Sequence, residues 1–220
     1  MTMRAMKTIF HVLLFLGFSL AHAGSYDDFF KAIELDDEVA VGKLLQRGFD
    51  ANTVNPAGVP GLLLAIKSPS PKVVRALLNW PKTRVEQRNP TDESALMLAA
   101  LTGDLELCQL LISKDADVNK TGWTPLHYAA TNGQLAVIRL LLDEHAYIDA
   151  ESPNRTTPLM MAAMYGTAAA VKVLLEAGAD PLLKNMQGLN ALDFAERVSR
   201  AESAEIIRAF VRGRQPKGAW

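Results

Sequence analysis

Gly122-Trp123-Thr124-Pro125-Leu126-His127-Tyr128-Ala129-Ala130 is the stretch from which the rest of the chain can be read. Thr124 suits a helix N-cap, because its hydroxyl accepts from backbone N–H groups that have no partner inside the helix. Pro125 suits the first helical position, where a missing N–H removes no hydrogen bond. Ala129 and Ala130 leave room for a second helix to approach, and Gly133 ends the first helix at a tight turn. The second helix carries the aliphatic run Val137-Ile138-Arg139-Leu140-Leu141-Leu142. A hairpin this short cannot bury its own apolar face and requires copies on either side.

The copies are present. Alanines equivalent to Ala129 fall at Ala32, Ala65, Ala99, Ala162 and Ala195, with successive separations of 33, 34, 30, 33 and 33 residues across the six. A fixed period of this length announces a stack of repeated supersecondary units. A second column, twelve residues after each alanine, holds Leu44, Leu77, Leu111, Leu141, Leu174 and Ile207. Two columns in register over six units specify an all-α solenoid of about six helix–turn–helix units with short hairpin loops.

The chain resembles the ankyrin repeat proteins, whose unit carries a T-P-L-H-x-A core. Thr124-Pro125-Leu126-His127-Tyr128-Ala129 matches that core fully and Thr157-Pro158-Leu159-Met160-Met161-Ala162 nearly so. Ser94-Ala95-Leu96-Met97 and Asn190-Ala191-Leu192-Asp193 are weaker copies, and Pro60-Gly61-Leu62-Leu63 keeps little beyond the leucine. The Gly-Ala-Asp exit from the second helix is seen at Gly178-Ala179-Asp180, with relatives at Asp115-Ala116-Asp117 and Gly48-Phe49-Asp50. The resemblance covers roughly residues 25 to 212, in units of about 25–56, 57–90, 91–120, 121–153, 154–186 and 187–212. It implies a fold rather than a partner.

Residues 1–23 read as a cleavable secretory signal peptide. Arg4 and Lys7 precede an apolar run from Ile9 to Leu20, and Ala21-His22-Ala23 offers small residues where a signal peptidase cuts. Those twelve apolar residues would rise only about 18 Å as a helix, short of the roughly 30 Å hydrocarbon core of a bilayer. A periplasmic or secreted location is therefore expected, with no membrane span after cleavage. The sequence holds 23 basic and 24 acidic residues; residues 1–23 hold two of the basic ones and none of the acidic, so 24–220 carry a formal charge of −3. Such a balance, with sparse aromatics, argues against nucleic-acid binding. The single cysteine, Cys108, lies between apolar residues of a second helix and is expected to be a buried small hydrophobe. Residues 213–220 lack periodicity and are expected to form a disordered tail.

Departures from the repeat carry their own expectations. Asp36-Asp37-Glu38 stands where a second helix begins and reads as a cap, and the acidic residues of this opening unit supply the polar outer face that a terminal repeat needs. Ser68-Pro69-Ser70-Pro71 replaces a glycine turn, with Pro71 placed for a helix start. Trp80 has two readings, an exposed contact or a cover over adjacent helix ends. The connection at Asn119-Lys120-Thr121-Gly122 is three residues short, so the hairpin finger there should be stunted. Arg155 stands where other units have Gly122 and Gly188; if that turn needs a positive φ, an arginine is strained there and the loop is expected to rearrange. Arg208 replaces the leucine of inner units and marks the end of the array.

No catalytic, metal-binding or cofactor constellation is expected. The histidines outside residues 1–23, His127 and His145, are eighteen residues apart, and the resemblance gives His127 a structural role between units. Asp104 and Glu106 begin a helix and read as capping groups. The chain is expected to be a monomeric, non-catalytic scaffold whose partner is another protein. The resemblance places contacts on the concave face, at the ends of the first helices and at the finger tips. Here those positions are Leu101, Thr102, Thr131, Asn132, Met164 and Tyr165 at the helix ends, and Glu93, Trp123, Asn154, Arg155, Gln187 and Leu189 on the fingers. Leu101, Trp123, Met164 and Tyr165 would form an exposed apolar line; the competing reading packs Trp123 and Met164 between units. An inhibitor or immunity-type partner is one form of this function. A chaperone-like helper of an exported enzyme is a second class, and a hydrolase using the groove a third.

Overall fold

A computed structural model describes residues 24–68 and 70–214; the expected signal segment and residues 215–220 lie outside them. Two compact units divide the chain between Thr91 and Asp92. No strand forms among the described residues, which are helical throughout apart from turns, loops and an isolated antiparallel bridge between Val54 and Pro60.

The first unit holds two helix pairs, α1 (24–34) with α2 (Glu38–Gln46), and α3 (Gly61–Lys67) with α4 (Pro71–Leu78). Phe29 and Ile33 on α1 are fully buried, and Phe29 lies against Phe49 with ring centroids 4.8 Å apart. Gly61 is required here by packing: a Cβ on it would stand 2.6 Å from the Phe29 ring. Asp37 caps α2 by accepting from Ala40 N–H at 2.9 Å, as the acidic run implies. Its neighbour Asp36 instead accepts from Val73 N–H on α4 at 2.9 Å, and Ser70 donates to the Ile33 carbonyl at 2.7 Å. These bonds tie one hairpin to the next. Trp80 is half-buried.

The acidic residues Asp27, Asp28, Glu34, Asp37 and Glu38 of the opening unit are exposed, as a terminal repeat's polar outer face requires, but apolar residues stand exposed among them. Leu35 and Val39 are 68% and 60% exposed, beside a groove whose lining includes Ala32, Leu35, Ala40 and Leu44. Of the acidic residues there, Asp37 serves as a cap and Asp36 as a tie to the next hairpin.

The second unit stacks four pairs: α5 (Ala95–Thr102) with α6 (Leu105–Ile112), α7 (Pro125–Thr131) with α8 (Leu135–Asp143), α9 (Pro158–Met164) with α10 (Ala168–Glu176), and α11 (Ala191–Arg197) with α12 (Ala201–Arg214). The first helices pack in the order α5, α7, α9, α11 and the second helices in the order α6, α8, α10, α12. Ala99, Ala129, Ala162 and Ala195 are fully buried along one row, and Leu111, Leu141, Leu174 and Ile207 along the other. Each buried leucine contributes roughly 1.5–3 kcal/mol, so these columns supply most of the force that stacks helices too short to stand alone. Helix α12 runs through Arg214, whose guanidinium lies 4.6 Å from the Phe210 ring centroid.

Two residues before each N-cap of these first helices the backbone is left-handed. Asp92, Gly122, Arg155 and Gly188 have φ of 63°, 82°, 62° and 75°. Arg155 therefore adopts the left-handed turn rather than rearranging the loop. It does so with its guanidinium held by both carboxylate oxygens of Glu151, at 3.0 and 2.9 Å.

Candidate protein-binding surface

A first helix is fixed at its start by reciprocal bonds between its N-cap and its third residue. On α7, Thr124 N–H donates to His127 Nδ1 at 3.2 Å, while His127 N–H donates to Thr124 Oγ1 at 3.4 Å. On α5 and α9 the ring nitrogen is replaced by the sulfurs of Met97 and Met160, each accepting at 3.4 Å. On α11 it is replaced by Asp193, accepting from Asn190 N–H at 2.8 Å. Because Nδ1 accepts, the proton sits on Nε2, which donates to the Thr156 carbonyl of the following unit at 2.8 Å. Burial lowers the His127 pKa from 6.5 to about 4, so the imidazole is neutral at pH 7.

These four helices lie side by side, and their fourth residues fall in one row: Leu98, Tyr128, Met161 and Phe194. Positions three and four residues further on share the same helix face. They are Leu101 and Thr102 on α5, Thr131 on α7 with Asn132 at its cap, Met164 on α9 with Tyr165 at its cap, and Arg197 on α11 with Val198 at its cap. All six expected helix-end residues therefore stand along one end of the first-helix row. Trp123, Asn154, Arg155, Gln187 and Leu189 stand on the fingers, at the opposite end of the same helices. Seven residues of helix separate the two groups by about 10 Å. Tyr128, Met161 and Phe194, all half-buried, occupy the space between them. The sequence reading passed over these three, although their spacing of 33 residues marks the same register position in each unit.

Of the four residues expected to form an exposed apolar line, Tyr165 is exposed, at 52%, whereas Leu101, Trp123 and Met164 are half-buried. Trp123 sits edge-on to His127, ring centroids 5.2 Å apart, in contact with the capping group of its own helix. The exposed companion of Tyr165 is Val198, one repeat later. Several polar members are already tied: Asn132 donates to the Leu101 carbonyl at 2.9 Å, and the Asn154 carbonyl accepts from Met186 N–H of the next finger at 3.0 Å. Arg200 donates to the Tyr165 and Gly166 carbonyls at 3.0 and 2.6 Å, fixing the end of α9.

The short finger is closed differently from its neighbours. In a full finger an asparagine or serine gathers the turn's N–H groups, as Asn185 does for Gln187 and Leu189 at 2.9 and 3.0 Å. The finger at Asn119–Gly122 lacks that turn. Lys120, its side chain buried, donates to the Thr121 carbonyl at 2.9 Å and pairs with Asp92 of the preceding finger. Beside it, the Tyr128 hydroxyl donates to Glu93 at 3.3 Å, and burial followed by the Glu93 charge pushes that phenol up to about 12.

The family profile described as "Ankyrin repeats (3 copies)" matches residues 29–119 and 62–152, more than half of the chain. The chain belongs to the ankyrin repeat family. A second profile, "Ankyrin repeats (many copies)", matches residues 145–195. Ankyrin repeat and SAM domain-containing protein 6 of Rattus norvegicus is 34% identical over 133 residues, covering 58% of this chain. The chain spans only 14% of that relative's length. Among solved structures, one is the complex of a predatory endopeptidase from Bdellovibrio bacteriovorus with an immunity protein. The similar chain there is 28% identical, with a TM-score of 0.71, covering 83% of this chain and 97% of that one. An ankyrin repeat domain from Acinetobacter baumannii AYE is 21% identical with a TM-score of 0.72 and the same coverage, a likeness of fold.

Within this ankyrin repeat chain the titratable groups considered for chemistry have structural duties. Both ring nitrogens of His127 are engaged in hydrogen bonds and the ring is buried. Asp104 caps α6 by accepting from Leu107 N–H at 2.9 Å, with Glu106 in the first turn. Cys108 is buried, and burial, then the Asp104 charge, raises its thiol to about 12. No group of three or more His, Cys, Asp or Glu side chains that could hold a metal occurs among the described residues. No helix among them is long and apolar enough to cross a membrane.

Proposed function

We propose that this ankyrin repeat protein is an exported, monomeric, non-catalytic module of the cell envelope. It binds a protein partner through the first-helix face of its second unit. The observation that carries this reading is the band formed by Met161, Met164, Tyr165, Phe194 and Val198, half-buried to exposed, on two adjacent helices. Methionine and aromatic side chains on a rigid backbone suit the desolvated centre of an interface, because they offer contact area that adapts to its partner. Trp123, Asn154, Arg155, Gln187 and Leu189 on the fingers form its polar and aromatic border, with Thr102 and Asn132 at the other end. Export rests on the three-part pattern of residues 1–23. The likeness to a chain from an endopeptidase–immunity protein complex favours an enzyme as the partner and inhibition as the outcome.

The test uses the protein secreted from its native host, tagged after residue 214. Its N-terminus is read by mass spectrometry, and it is used to capture partners from an envelope extract. Wild type is compared with Met161→Ala, Tyr165→Ala and Trp123→Ala, each verified as folded by circular dichroism. The reading expects a processed N-terminus at Gly24 and one stoichiometric partner, retained at least tenfold less by Met161→Ala and Tyr165→Ala. If the partner is an enzyme, its activity falls on titration with the wild type. Capture unchanged in every variant removes the face assignment. A captured enzyme that gains stability without losing activity assigns the helper role instead.

A further inference from the structure

Methionine is unevenly sheltered in this chain. Five methionines fall among the described residues: Met97, Met160, Met161, Met164 and Met186. Met97 and Met160 are each 1% exposed, and each sulfur accepts the N-cap N–H of its own helix at 3.4 Å. Their lone pairs are engaged inside the stack, and an oxidant in solution reaches exposed sulfurs first. Met161 and Met164 are half-buried, three residues apart on α9 and so on one face of it. Met186, on the finger that follows, is 71% exposed. Every described methionine with access to solvent therefore belongs to one repeat and its next finger, and the α9 pair lies inside the apolar band. The other first helices carry no sulfur at these positions: Leu98, Tyr128 and Phe194 match Met161, and Leu101, Thr131 and Arg197 match Met164.

We propose that Met161 and Met164 form an oxidation site through which a peroxide releases the partner, an inference that rests on the apolar band being the surface that holds it. A thioether lone pair attacks one oxygen of hydrogen peroxide or an alkyl hydroperoxide. The S–O bond forms as the O–O bond breaks, and the sulfur gives up two electrons. The proton of the attacked hydroxyl passes to the departing oxygen, which leaves as water or an alcohol. The product is a polar, chiral sulfoxide. On the α9 pair it places two strong acceptors in a band whose partner contacts are apolar, and an acceptor buried there without a donor opposes the contact. The fully buried alanine and leucine columns and the sulfur-capped helix starts are untouched, so the face changes character while the stack stands. Reduction by a thiol-dependent sulfoxide reductase returns the thioether, the oxygen leaving as water while two thiols close to a disulfide. The switch is therefore reversible.

The purified protein is treated with hydrogen peroxide, and each methionine is followed by peptide mass spectrometry. Met186 is expected to oxidise first and the α9 pair next, with Met97 and Met160 at least tenfold slower than the pair. Two variants isolate the pair: Met186→Leu alone, and Met161→Leu with Met164→Leu and Met186→Leu. Leucine already stands at both α9 positions on α5, as Leu98 and Leu101, and it conserves volume. Peroxide should shorten the retention of Met186→Leu on a phenyl column more than that of the triple variant, with both urea midpoints unmoved. A methionine sulfoxide reductase should restore it, a reading that the wild type also gives without any substitution. A partner held by reduced Met186→Leu should be held at least tenfold less after oxidation, and equally before and after in the triple variant. Oxidation of Met97 or Met160 as fast as the pair, equal retention shifts, a fall in the urea midpoint, or unchanged capture after complete oxidation of the pair each overturns the proposal. A reduced protein that captures nothing removes the binding reading and with it the release step, whereas the oxidation rates and retention still decide the site.

Discussion

His127 should make the fold lose stability on mild acidification, by an amount set by its burial. Its ring is fully buried between two hydrogen bonds, and its pKa falls from 6.5 to about 4 on folding. Between those values the unfolded chain binds the proton that the folded chain refuses, so stability rises with pH through the window and falls as pH is lowered. The contribution is fully present above about pH 6.5 and fully lost below about pH 4, a total of roughly 3 kcal/mol at 1.36 kcal/mol per pH unit. At pH 5 the loss is about 2 kcal/mol. Met97 and Met160 occupy the same position in neighbouring repeats and accept the same N-cap bond, so His127→Met is a substitution the repeat already tolerates. It removes the titration together with the bond to Thr156. Asp149 shifts the other way: burial raises its pKa, so its protonation favours the folded state on acidification. It is common to both proteins and drops out of the difference. Urea unfolding at pH 7 and pH 5 provides the assay. With a slope near 2 kcal/mol per molar, the wild-type midpoint should fall by about 1 M more than that of His127→Met. Equal midpoint shifts in the two proteins would refute the assignment of a neutral, buried imidazole.

Three further outcomes follow from the geometry. Arg155→Gly should raise the thermal midpoint by about 2 °C, because glycine adopts a φ of 62° without strain; calorimetry measures it, and an unchanged or lower midpoint would show that the contact with Glu151 outweighs the backbone term. Gly166→Ala should destabilise by about 2 kcal/mol or more, because the new Cβ would stand 2.3 Å from the Ala130 carbonyl oxygen and 2.9 Å from Ala162 Cα, neither of which can swing away; the readout is the urea midpoint. Cys108 should react with a disulfide reagent at pH 8 at least a hundredfold more slowly in the folded chain than in urea, since its thiol is buried and its pKa is about 12.

The columns that build the stack were legible because each answers to one requirement repeated in every unit. An alanine is needed where first helices touch, and a leucine where second helices meet; Ala99, Ala129, Ala162 and Ala195 are accordingly fully buried, as are Leu111, Leu141 and Leu174. The caps were legible for the same reason, since Thr124, Asp37 and Asp104 act through neighbours three residues away. What sequence could not supply was the fate of residues whose surroundings come from another unit. Asp36 reads as a cap by position, yet its carboxylate serves Val73, 37 residues on. Trp123 reads either as an exposed contact or as packing between units; its ring lies edge-on to His127 of its own helix, an imidazole that is itself tied to Thr156 of the following unit. Arg155 reads as an obstacle to a left-handed turn, yet Glu151 four residues away receives it there.

The proposed binding face was the least legible part, and the reason is physical. At the fourth position of the first helices the stack accepts Leu98, Tyr128, Met161 or Phe194 without changing its geometry, so nothing in the repeat pattern singles the position out. A site that the fold leaves unconstrained is also one where a partner can set the side chain. Such positions are found by asking where register is held but residue type is not, and then whether the side chains reach solvent. Tyr128, Met161 and Phe194 satisfy both conditions, whereas Leu98 fails the second because it is buried. That difference divides the face. Toward α5 it carries the Glu93–Tyr128 contact and the closed, lysine-held finger; toward α11 it carries the apolar band. A partner that uses the whole row must therefore bring a polar group to Glu93 and apolar groups to Met161 and Phe194. Removing Met161 should then slow association little and speed dissociation most, because the desolvated centre of an interface acts chiefly on the lifetime of the complex.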